Sequence, residues 1–219
     1  MAGCIDHTLL LPTTTTVHVE QLCEEARQWG FYAVCVNPRW VPLAADRLSR
    51  TNIKVASAIS LPLGADATKI KVAQARDAIF AGADEIDMVA DLAAIIEEDS
   101  RFLLEQFQAV LKVCRQVRPR VLLKVIIESA ALTGGQKIFA CRIAQQAHVD
   151  FVKTSTGMHP AGGATVEDIK LMKEAAPDCM IKAAGGIRTA KQALEMLEAG
   201  AVRIGTSSGV RIVNEIEAG

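Results

Sequence analysis

Hydrophobic and polar positions follow two alternating patterns along the chain. Short apolar runs of strand length are separated by longer segments in which apolar residues recur at helical spacing. The runs that we predict to be strands are residues 4–8, 32–36, 53–59, 84–90, 121–128, 150–155, 179–184 and 202–206. Strand and helix therefore alternate about eight times, with a period of roughly 25–30 residues.

The segments between these runs carry recognisable helix-boundary signals. Gly30 follows the first helical series, as expected of a glycine just beyond a helix C-terminus. Asp99 and Ser100 precede the longest helical pattern as candidate N-caps, and Thr165 and Thr189 each begin a sequence typical of a capping box. These signals predict helices between successive strands.

The repeated pattern decides the fold class. Eight strand–helix repeats without a linker or a change in composition predict a single α/β domain over residues 1–219, folded as a (β/α)8 TIM barrel. The alternative is a doubly wound open sheet, which usually carries a glycine-rich dinucleotide-binding turn after its first strand. The corresponding segment here, residues 10–16, reads LLPTTTT and contains no glycine. The sequence therefore favours the barrel.

Composition and charge exclude several classes of protein. Half of the residues are hydrophobic and only 4% are aromatic, which predicts a core of Ala, Val, Ile and Leu. A net charge of −1 gives no electrostatic basis for binding nucleic acid or an anionic membrane. No apolar stretch is long enough to span a membrane, and the first residues lack a signal-peptide pattern. We expect a cytoplasmic protein with no nucleic-acid or membrane partner.

The cysteines and histidines do not form metal-binding patterns. The six cysteines are scattered without a CxxC motif, and the four histidines show neither HxH nor HxxxH spacing. We therefore expect reduced thiols in the core and no metal site.

Lysines occur where apolar strands are predicted. Lys153 and Lys182 lie in two successive apolar runs, each followed by a loop of small residues. An apolar strand seldom includes an ammonium group that the folded protein does not use. Two lysines on adjacent strands are expected to lower each other's pKa, which makes an amine nucleophilic. The pair predicts Schiff-base chemistry, whereas either lysine alone would more often be a snorkelling residue or half of an ion pair.

Further ionisable residues lie towards the strand ends, where barrel active sites are found. Alternation along the fourth strand predicts that Glu85 and Asp87 face inward, with Asp87 better placed for proton transfer or else neutralising a lysine. The fifth strand would bring Lys124 into the same cluster as a helper in charge balance. Asp6 and His7 form either a cap pair at the rim or catalytic support.

Two loops have the composition of an anion site. Gly185 and Gly186 follow the seventh strand, and Ser207 and Ser208 follow the eighth at the start of a short helix. This is the usual phosphate position of a TIM barrel, although the serines also fit an ordinary N-cap. With Gly157, which follows the lysine of the sixth strand, these residues predict a phosphate-binding site.

Seven motifs resemble those of the deoxyribose-phosphate aldolase family, a class I aldolase family, in the family's own order. They are IDHTLL (5–10), VCVNP (34–38), PLG (62–64), DEIDMV (84–89), LKVIIE (123–128), FVKTSTG (151–157) and GGIR (185–188). The resemblance covers essentially the whole chain. It implies a (β/α)8 barrel enzyme that reversibly cleaves 2-deoxy-D-ribose 5-phosphate to D-glyceraldehyde 3-phosphate and acetaldehyde, in deoxyribose catabolism.

The resemblance also assigns roles to residues. It implies that Lys153 forms the Schiff base, that Lys182 is its pKa-lowering and proton-relaying partner, and that Asp87 donates and accepts protons. Asp6 would hold Lys182, and the glycine and serine loops would bind the phosphate. The partners are then a small phosphosugar and aldehydes, with no metal or organic cofactor. A homodimer is left open.

Some positions depart from the family pattern. Ser60, Leu61, Asp91 and Met158 stand where many members have Gly, Phe, Asn and, in some, Lys. They concern the pocket wall and not the lysine–lysine–aspartate set, and the sequence does not give their effect on the pocket. Two alternatives are a catalytically silent phosphosugar sensor, which would need only the loops, and a transaldolase-like enzyme, a group without this adjacent-strand lysine pair.

Overall fold

The computed structural model describes residues 1–218 and contains a closed barrel of eight parallel strands in sequential order. The strands are β1 (Ile5–Leu9), β2 (Ala33–Val36), β3 (Lys54–Ile59), β4 (Glu85–Val89), β5 (Leu122–Ile126), β6 (Phe151–Lys153), β7 (Met180–Ala184) and β8 (Arg203–Thr206). Because β8 also pairs with β1, the sheet has no edge. The predicted (β/α)8 barrel is confirmed, and the open doubly wound sheet is excluded.

Helices follow the strands around the barrel. They are α1 (Thr16–Trp29), α2 (Val41–Leu48), α3 (Thr68–Phe80), α4 (Leu92–Ile96), α5 (Ser100–Arg115), α6 (Gly134–Gln146), α7 (Val166–Ala175), α8 (Ala190–Glu198) and α9 (Gly209–Glu217). Short 3-10 turns lie at Ala2–Cys4, Pro38–Trp40 and Ser129–Ala131. Within residues 1–218, no helix is long and apolar enough to cross a membrane.

Two predicted strands are each three residues longer than the observed ones, whereas the others agree in length to within two residues. The predicted runs 121–128 and 150–155 extend beyond β5 and β6 because the chain leaves the sheet early at both. Glu128 has a φ of 53°, in the left-handed region, and a 3-10 turn follows it. After Lys153 the chain enters the loop that carries Gly157.

Most of the predicted helix signals are confirmed. Gly30 ends α1 in the left-handed conformation, the Asp99 side chain caps α5, and Thr189 begins a complete capping box in α8. Thr165 also caps α7, but the reciprocal half of its box is absent. The Asp168 carboxylate instead forms an ion pair with a lysine of α6.

The main hydrophobic core lies between the strands and the helices, where the outward-facing Ile86 and Met88 of β4 are fully buried. A second, smaller cluster is formed by Leu10, Cys35, Ala56 and Ala58. It adjoins the charged interior of the barrel, because Cys35 Sγ lies 3.9 Å from a carboxylate oxygen of β4. The six cysteines are all free and five of them are buried, as the sequence predicted.

A buried lysine outside the barrel interior holds the C-terminal end of β4. Lys71 of α3 is fully buried, and its Nζ donates to the carbonyl oxygen of Val89 at 2.8 Å and to Gln106 Oε1 at 3.0 Å. Gln106 Oε1 also accepts from the backbone N–H of Asp91 at 3.3 Å. Burial lowers the pKa of Lys71 from 10.5 to about 8. Because a neutral amine keeps two N–H groups, both hydrogen bonds survive loss of the proton.

We expect the free energy of unfolding to rise through Lys71 as the pH increases from about 8 towards about 10.5. The folded pKa lies below the unfolded one, so the unfolded chain binds more protons over this range. Urea unfolding near pH 7.5 and near pH 10 tests this in the parent and in Lys71→Met. The gain in free energy of unfolding should be larger in the parent by about 2 kcal/mol. Equal gains in both proteins would contradict the expectation.

Candidate active site

Seven charged side chains meet inside the barrel. They are Asp6 of β1, Glu85 and Asp87 of β4, Lys124 of β5, Lys153 of β6, Lys182 of β7 and Arg203 of β8. None of the seven is more than 4% exposed. The strand register brings them together, because Asp87 lies opposite Lys124, and Lys182 lies opposite both Lys153 and Arg203. The inward orientation predicted for the acids of the fourth strand and for Lys124 is confirmed.

Six of these side chains form a closed ring in which cations and anions alternate. In order, the ring runs Arg203, Asp6, Lys182, Asp87, Lys124, Glu85 and back to Arg203. Each charge therefore contacts two of opposite sign, and the ring is neutral as a whole. Such mutual pairing offsets the large cost of burying charges in a protein interior. The seventh side chain, Lys153, lies outside the ring.

Asp87 is the member of the ring that contacts Lys153. Its Oδ2 accepts from Lys153 Nζ and from Lys182 Nζ, each at 2.8 Å, and its Oδ1 accepts from Lys124 Nζ at 2.5 Å. Burial by itself would raise the pKa of Asp87. The three lysines outweigh burial and hold the pKa well below its ordinary value. Asp87 is therefore an anion that holds three lysine nitrogens close together.

Lys182 and Lys124 are fixed as cations. Burial would lower the pKa of Lys182, but Asp6 and Asp87 outweigh it and raise the pKa above its ordinary value. The pKa of Lys124 is raised in the same way by Asp87 and Glu85, against burial. The predicted mutual lowering of lysine pKa values is therefore wrong for Lys182. Two carboxylates flank Lys182, Asp6 as the family resemblance implied and Asp87 of β4, and together they keep it charged.

Asp6 supports the interior and does not cap the rim. It contacts Lys182 through Oδ2 and Arg203 through Oδ1. Burial would raise the pKa of Asp6, but these two cations lower it below its ordinary value. His7, the other half of the suggested cap pair, faces away from the ring, and its Nε2 lies 2.6 Å from Glu25 Oε2. The two neighbours thus have separate partners.

Among the seven interior residues, Lys153 alone lines the cavity above the ring. The cavity has a volume of about 260 Å³. Four of the five predicted phosphate residues, Gly157, Gly185, Gly186 and Ser207, also line it. One cavity therefore brings the candidate nucleophile and the candidate anion loops together.

Ser208 is placed differently from the sequence prediction. It lines a separate cavity of about 660 Å³, together with Ser207, His7 and residues of α9. Its backbone N–H donates to Thr206 Oγ1 at 2.9 Å. Ser208 is therefore not among the residues that line the smaller cavity, and its role in binding phosphate stays a prediction.

The loops after β6 and β7 pack backbone against backbone. A Cβ atom on Gly163 would lie 2.2 Å from the carbonyl oxygen of Gly185, so no side chain fits at this position. That oxygen accepts from the N–H of Ala164 at 3.1 Å. Deeper in the barrel, Thr154 Oγ1 donates to the carbonyl of Ala184 at 2.9 Å and accepts from its N–H at 3.0 Å. The two loops are thereby locked together.

A carboxylate just beyond the end of β5 supports the loop after β6. Both oxygens of Glu128 accept from the backbone N–H of Thr156 at 3.2 Å, and one accepts from Thr156 Oγ1 at 2.5 Å. A strand that continued to residue 128 would put Glu128 on the inward face with Lys124. The left-handed turn of the backbone instead directs Glu128 to the loop.

Two arginines of this region were not singled out by the sequence analysis. Arg203 completes the ring, and the exposed Arg188 lines the mouth of the small cavity. The rule applied to the lysines would have found Arg203, because it too is an ionisable residue inside a predicted apolar strand. Arg188 follows the Gly185-Gly186 pair, where a cation is well placed to meet an anion.

The departures from the family pattern fall at different places around the site. Met158 lines the small cavity and Leu61 packs on the cluster that contains Cys35. Ser60 has a φ of 53°, a region that favours glycine. Asp91 caps α4 through its side chain.

Cys35 lies beside the charged interior but is not activated. Burial, and after it the negative charge of Asp87, raises the pKa of the Cys35 thiol, as expected of an unreactive core thiol.

No group of three or more His, Cys, Asp or Glu side chains within residues 1–218 is arranged to hold a metal ion.

Comparison with known proteins gives one consistent family. Residues 1–215 match the family described as DeoC/LacD family aldolase. A deoxyribose-phosphate aldolase of Thermococcus gammatolerans is 52% identical over 216 residues, which cover 97% of this chain and 95% of that protein. One of Dictyoglomus turgidum is 46% identical, with 98% and 96% covered. The tetrameric deoxyribose-phosphate aldolase of Aeropyrum pernix superposes with a TM-score of 0.92 at 28% identity, covering 99% of this chain and 91% of that one.

Proposed function

Because the chain belongs to the DeoC/LacD family of aldolases, among its deoxyribose-phosphate aldolases, we propose that it cleaves 2-deoxy-D-ribose 5-phosphate reversibly through a Schiff base on Lys153. The products are D-glyceraldehyde 3-phosphate and acetaldehyde, and the reaction serves deoxyribose catabolism. One observation carries the proposal. Lys153 is the interior lysine that lies outside the neutral ring and lines the cavity.

The proposed nucleophile has the charge balance that a reactive amine needs. The ring is neutral without Lys153, so loss of the proton from Lys153 leaves no carboxylate without a cation. Asp87 keeps Lys124 and Lys182 as partners. As a neutral amine, Lys153 attacks the substrate carbonyl, and loss of water gives an iminium. This cation accepts the electrons of the C2–C3 bond as the bond breaks, and an enamine forms between C1 and C2.

Asp87 and Lys182 are the groups proposed to move protons. The nitrogens of Lys153 and Lys182 each lie 2.8 Å from the same oxygen of Asp87, within hydrogen-bonding distance. Asp87 and Lys182 would transfer the protons needed for dehydration of the carbinolamine, for removal of the C3-hydroxyl proton and for protonation of the enamine at C2. The raised pKa of Lys182 favours a second role as a fixed positive charge beside Lys153. Asp6 and Lys124 support these groups through the ring.

The substrate phosphate is proposed to bind at the other side of the cavity. Gly157, Gly185, Gly186 and Ser207 line this region and are proposed to donate backbone N–H groups to the phosphate, and the Arg188 side chain adds a positive charge at the mouth. Holding the phosphate fixes the carbonyl carbon relative to Lys153, so binding energy is used for orientation. Ser208 follows Ser207 at the start of α9 and is proposed to support this site from its edge.

The proposed chemistry needs neither a metal ion nor an organic cofactor, because the lysine iminium itself is the electron sink. The partners are the phosphosugar and the two aldehydes. We further propose that residues 1–219 act as one domain in the cytoplasm, where a phosphorylated sugar is retained. The tetrameric relative from Aeropyrum pernix supports assembly beyond a monomer, and a homodimer is the assembly that we propose.

Reductive trapping tests the proposal. Incubation with acetaldehyde and borohydride should add an ethyl group to Lys153 and leave Lys182 unlabelled, as mapped by mass spectrometry of peptides. Omission of acetaldehyde is the control. Overnight treatment with a chelator before labelling should change neither the extent of labelling nor the turnover. Labelling at Lys182 instead, or a loss of activity that zinc restores, would contradict the proposal.

A further inference from the structure

Arg203 lies opposite Asp87 in the ring. Two arms join them, one through Asp6 and Lys182 and the other through Glu85 and Lys124, and Arg203 contacts the first residue of each. Its Nε donates to Asp6 Oδ1 at 2.8 Å, and its Nη2 contacts the same oxygen. Nη2 also donates to Glu85 Oε2 at 3.0 Å, and Nη1 lies 3.4 Å from Glu85 Oε1. A planar guanidinium can make these bonds to two carboxylates at once, whereas an ammonium group is a point charge.

On one arm, Arg203 fixes the orientation of Asp6. The two oxygens of Asp6 have different partners, because Oδ1 accepts from Arg203 and Oδ2 accepts from Lys182. As long as Arg203 occupies Oδ1, Oδ2 remains directed at Lys182. Lys182 Nζ is then held 2.8 Å from Asp87 Oδ2.

On the other arm, Arg203 acts through Glu85. Glu85 Oε2 is shared by Arg203 Nη2 and by Lys124 Nζ, which lies 2.5 Å away. The same lysine nitrogen lies 2.5 Å from Asp87 Oδ1. Each oxygen of Asp87 is therefore held by a chain of ion pairs that ends at Arg203.

Arg203 is itself held firmly. Its Cζ lies 3.5 Å from the centre of the Tyr32 ring and 5.9 Å from that of Phe151, in a geometry typical of cation–π stacking. The acids that face it are Asp6 from β1 and Glu85 from β4, and Lys182 is its neighbour in register on β7. None of these contacts involves the cavity that Lys153 lines.

We propose that Arg203 is a positioning residue, which orients Asp6 and Glu85 and through them holds Lys182 and Lys124 against Asp87. Arg203 does not touch the substrate. The inference rests on the proposed function, in which Asp87 and Lys182 move protons for Lys153. Its effect should therefore appear in the chemical steps and not in substrate binding.

The test uses Arg203→Lys and Arg203→Met, with Arg101→Lys and Arg101→Met as controls, because Arg101 is an exposed arginine paired only with Glu105. Borohydride trapping at Lys153 counts the competent sites, and turnover is expressed per trapped site. We expect kcat per site to fall about 10- to 100-fold in both Arg203 variants, with KM changed by less than about threefold. Arg203→Lys should recover more folded protein than Arg203→Met without recovering kcat. The Arg101 variants should match the parent.

Several results would overturn the inference. A kcat per trapped site within about twofold of the parent in Arg203→Lys would show that positive charge alone suffices. A rise in KM at constant kcat would assign the residue to binding. Failure of both Arg203 variants to fold would assign it to the fold. Absence of labelling at Lys153 in the parent would instead overturn the proposed function, and this inference with it.

Discussion

Lys153→Met should abolish cleavage of 2-deoxy-D-ribose 5-phosphate together with labelling by acetaldehyde and borohydride. The fall in turnover should be on the order of 10⁴-fold or more, because the variant lacks the atom that forms the covalent bond. The fold should persist, because methionine fills a similar volume and the ring remains neutral without Lys153. Circular dichroism and thermal unfolding check the fold, and a coupled aldehyde assay measures turnover.

Lys191→Met is the matched control, because the Lys191 side chain is 86% exposed on α8. It should keep full turnover and full labelling at Lys153. A different result is expected if Lys182, and not Lys153, is the nucleophile. If Lys153→Met kept near-normal turnover and became labelled on Lys182, the nucleophile would be Lys182.

Lys182→Leu should keep the nucleophile but lose the fixed cation beside it. Activity near pH 7 should fall by on the order of 10²-fold or more. Lys182→Arg keeps a charge that does not deprotonate in proteins. It should therefore retain more activity than Lys182→Leu, while its proton-transfer steps remain slow.

Turnover per trapped Lys153 in the two Lys182 variants separates charge from proton transfer. Equal losses in Lys182→Leu and Lys182→Arg would show that Lys182 acts as a proton relay and that its charge alone does not suffice. Full activity in Lys182→Arg would rule out the proton relay and leave only the charge.

Local patterns in the sequence were sufficient to predict the barrel fold and the position of part of the candidate active site. Alternation within β4 predicted that Asp87 faces inward, because side-chain direction in a strand depends only on neighbouring positions. The lysines of β6 and β7 could be paired because these strands follow each other in the chain. Both inferences need information from one or two elements only.

The ring itself could not be predicted in the same way. Asp6 and Arg203 meet only because β8 pairs with β1, near opposite ends of the sequence. The charge state of Lys182 depends on carboxylates from two other strands, so its pKa moves opposite to the prediction. The hydrogen bond from the Ser208 backbone N–H to Thr206 is likewise a contact that no motif encodes.

The interlocked loops after β6 and β7 have a thermodynamic consequence for ligand capture. Gly163 and Gly185 are in backbone contact, so neither loop can move without the other. The conformational entropy of these loops is therefore lost during folding and not when a ligand arrives. At the proposed phosphate site, an anion would therefore meet an already ordered receptor, and we expect its association not to wait for a closing motion on this side of the barrel.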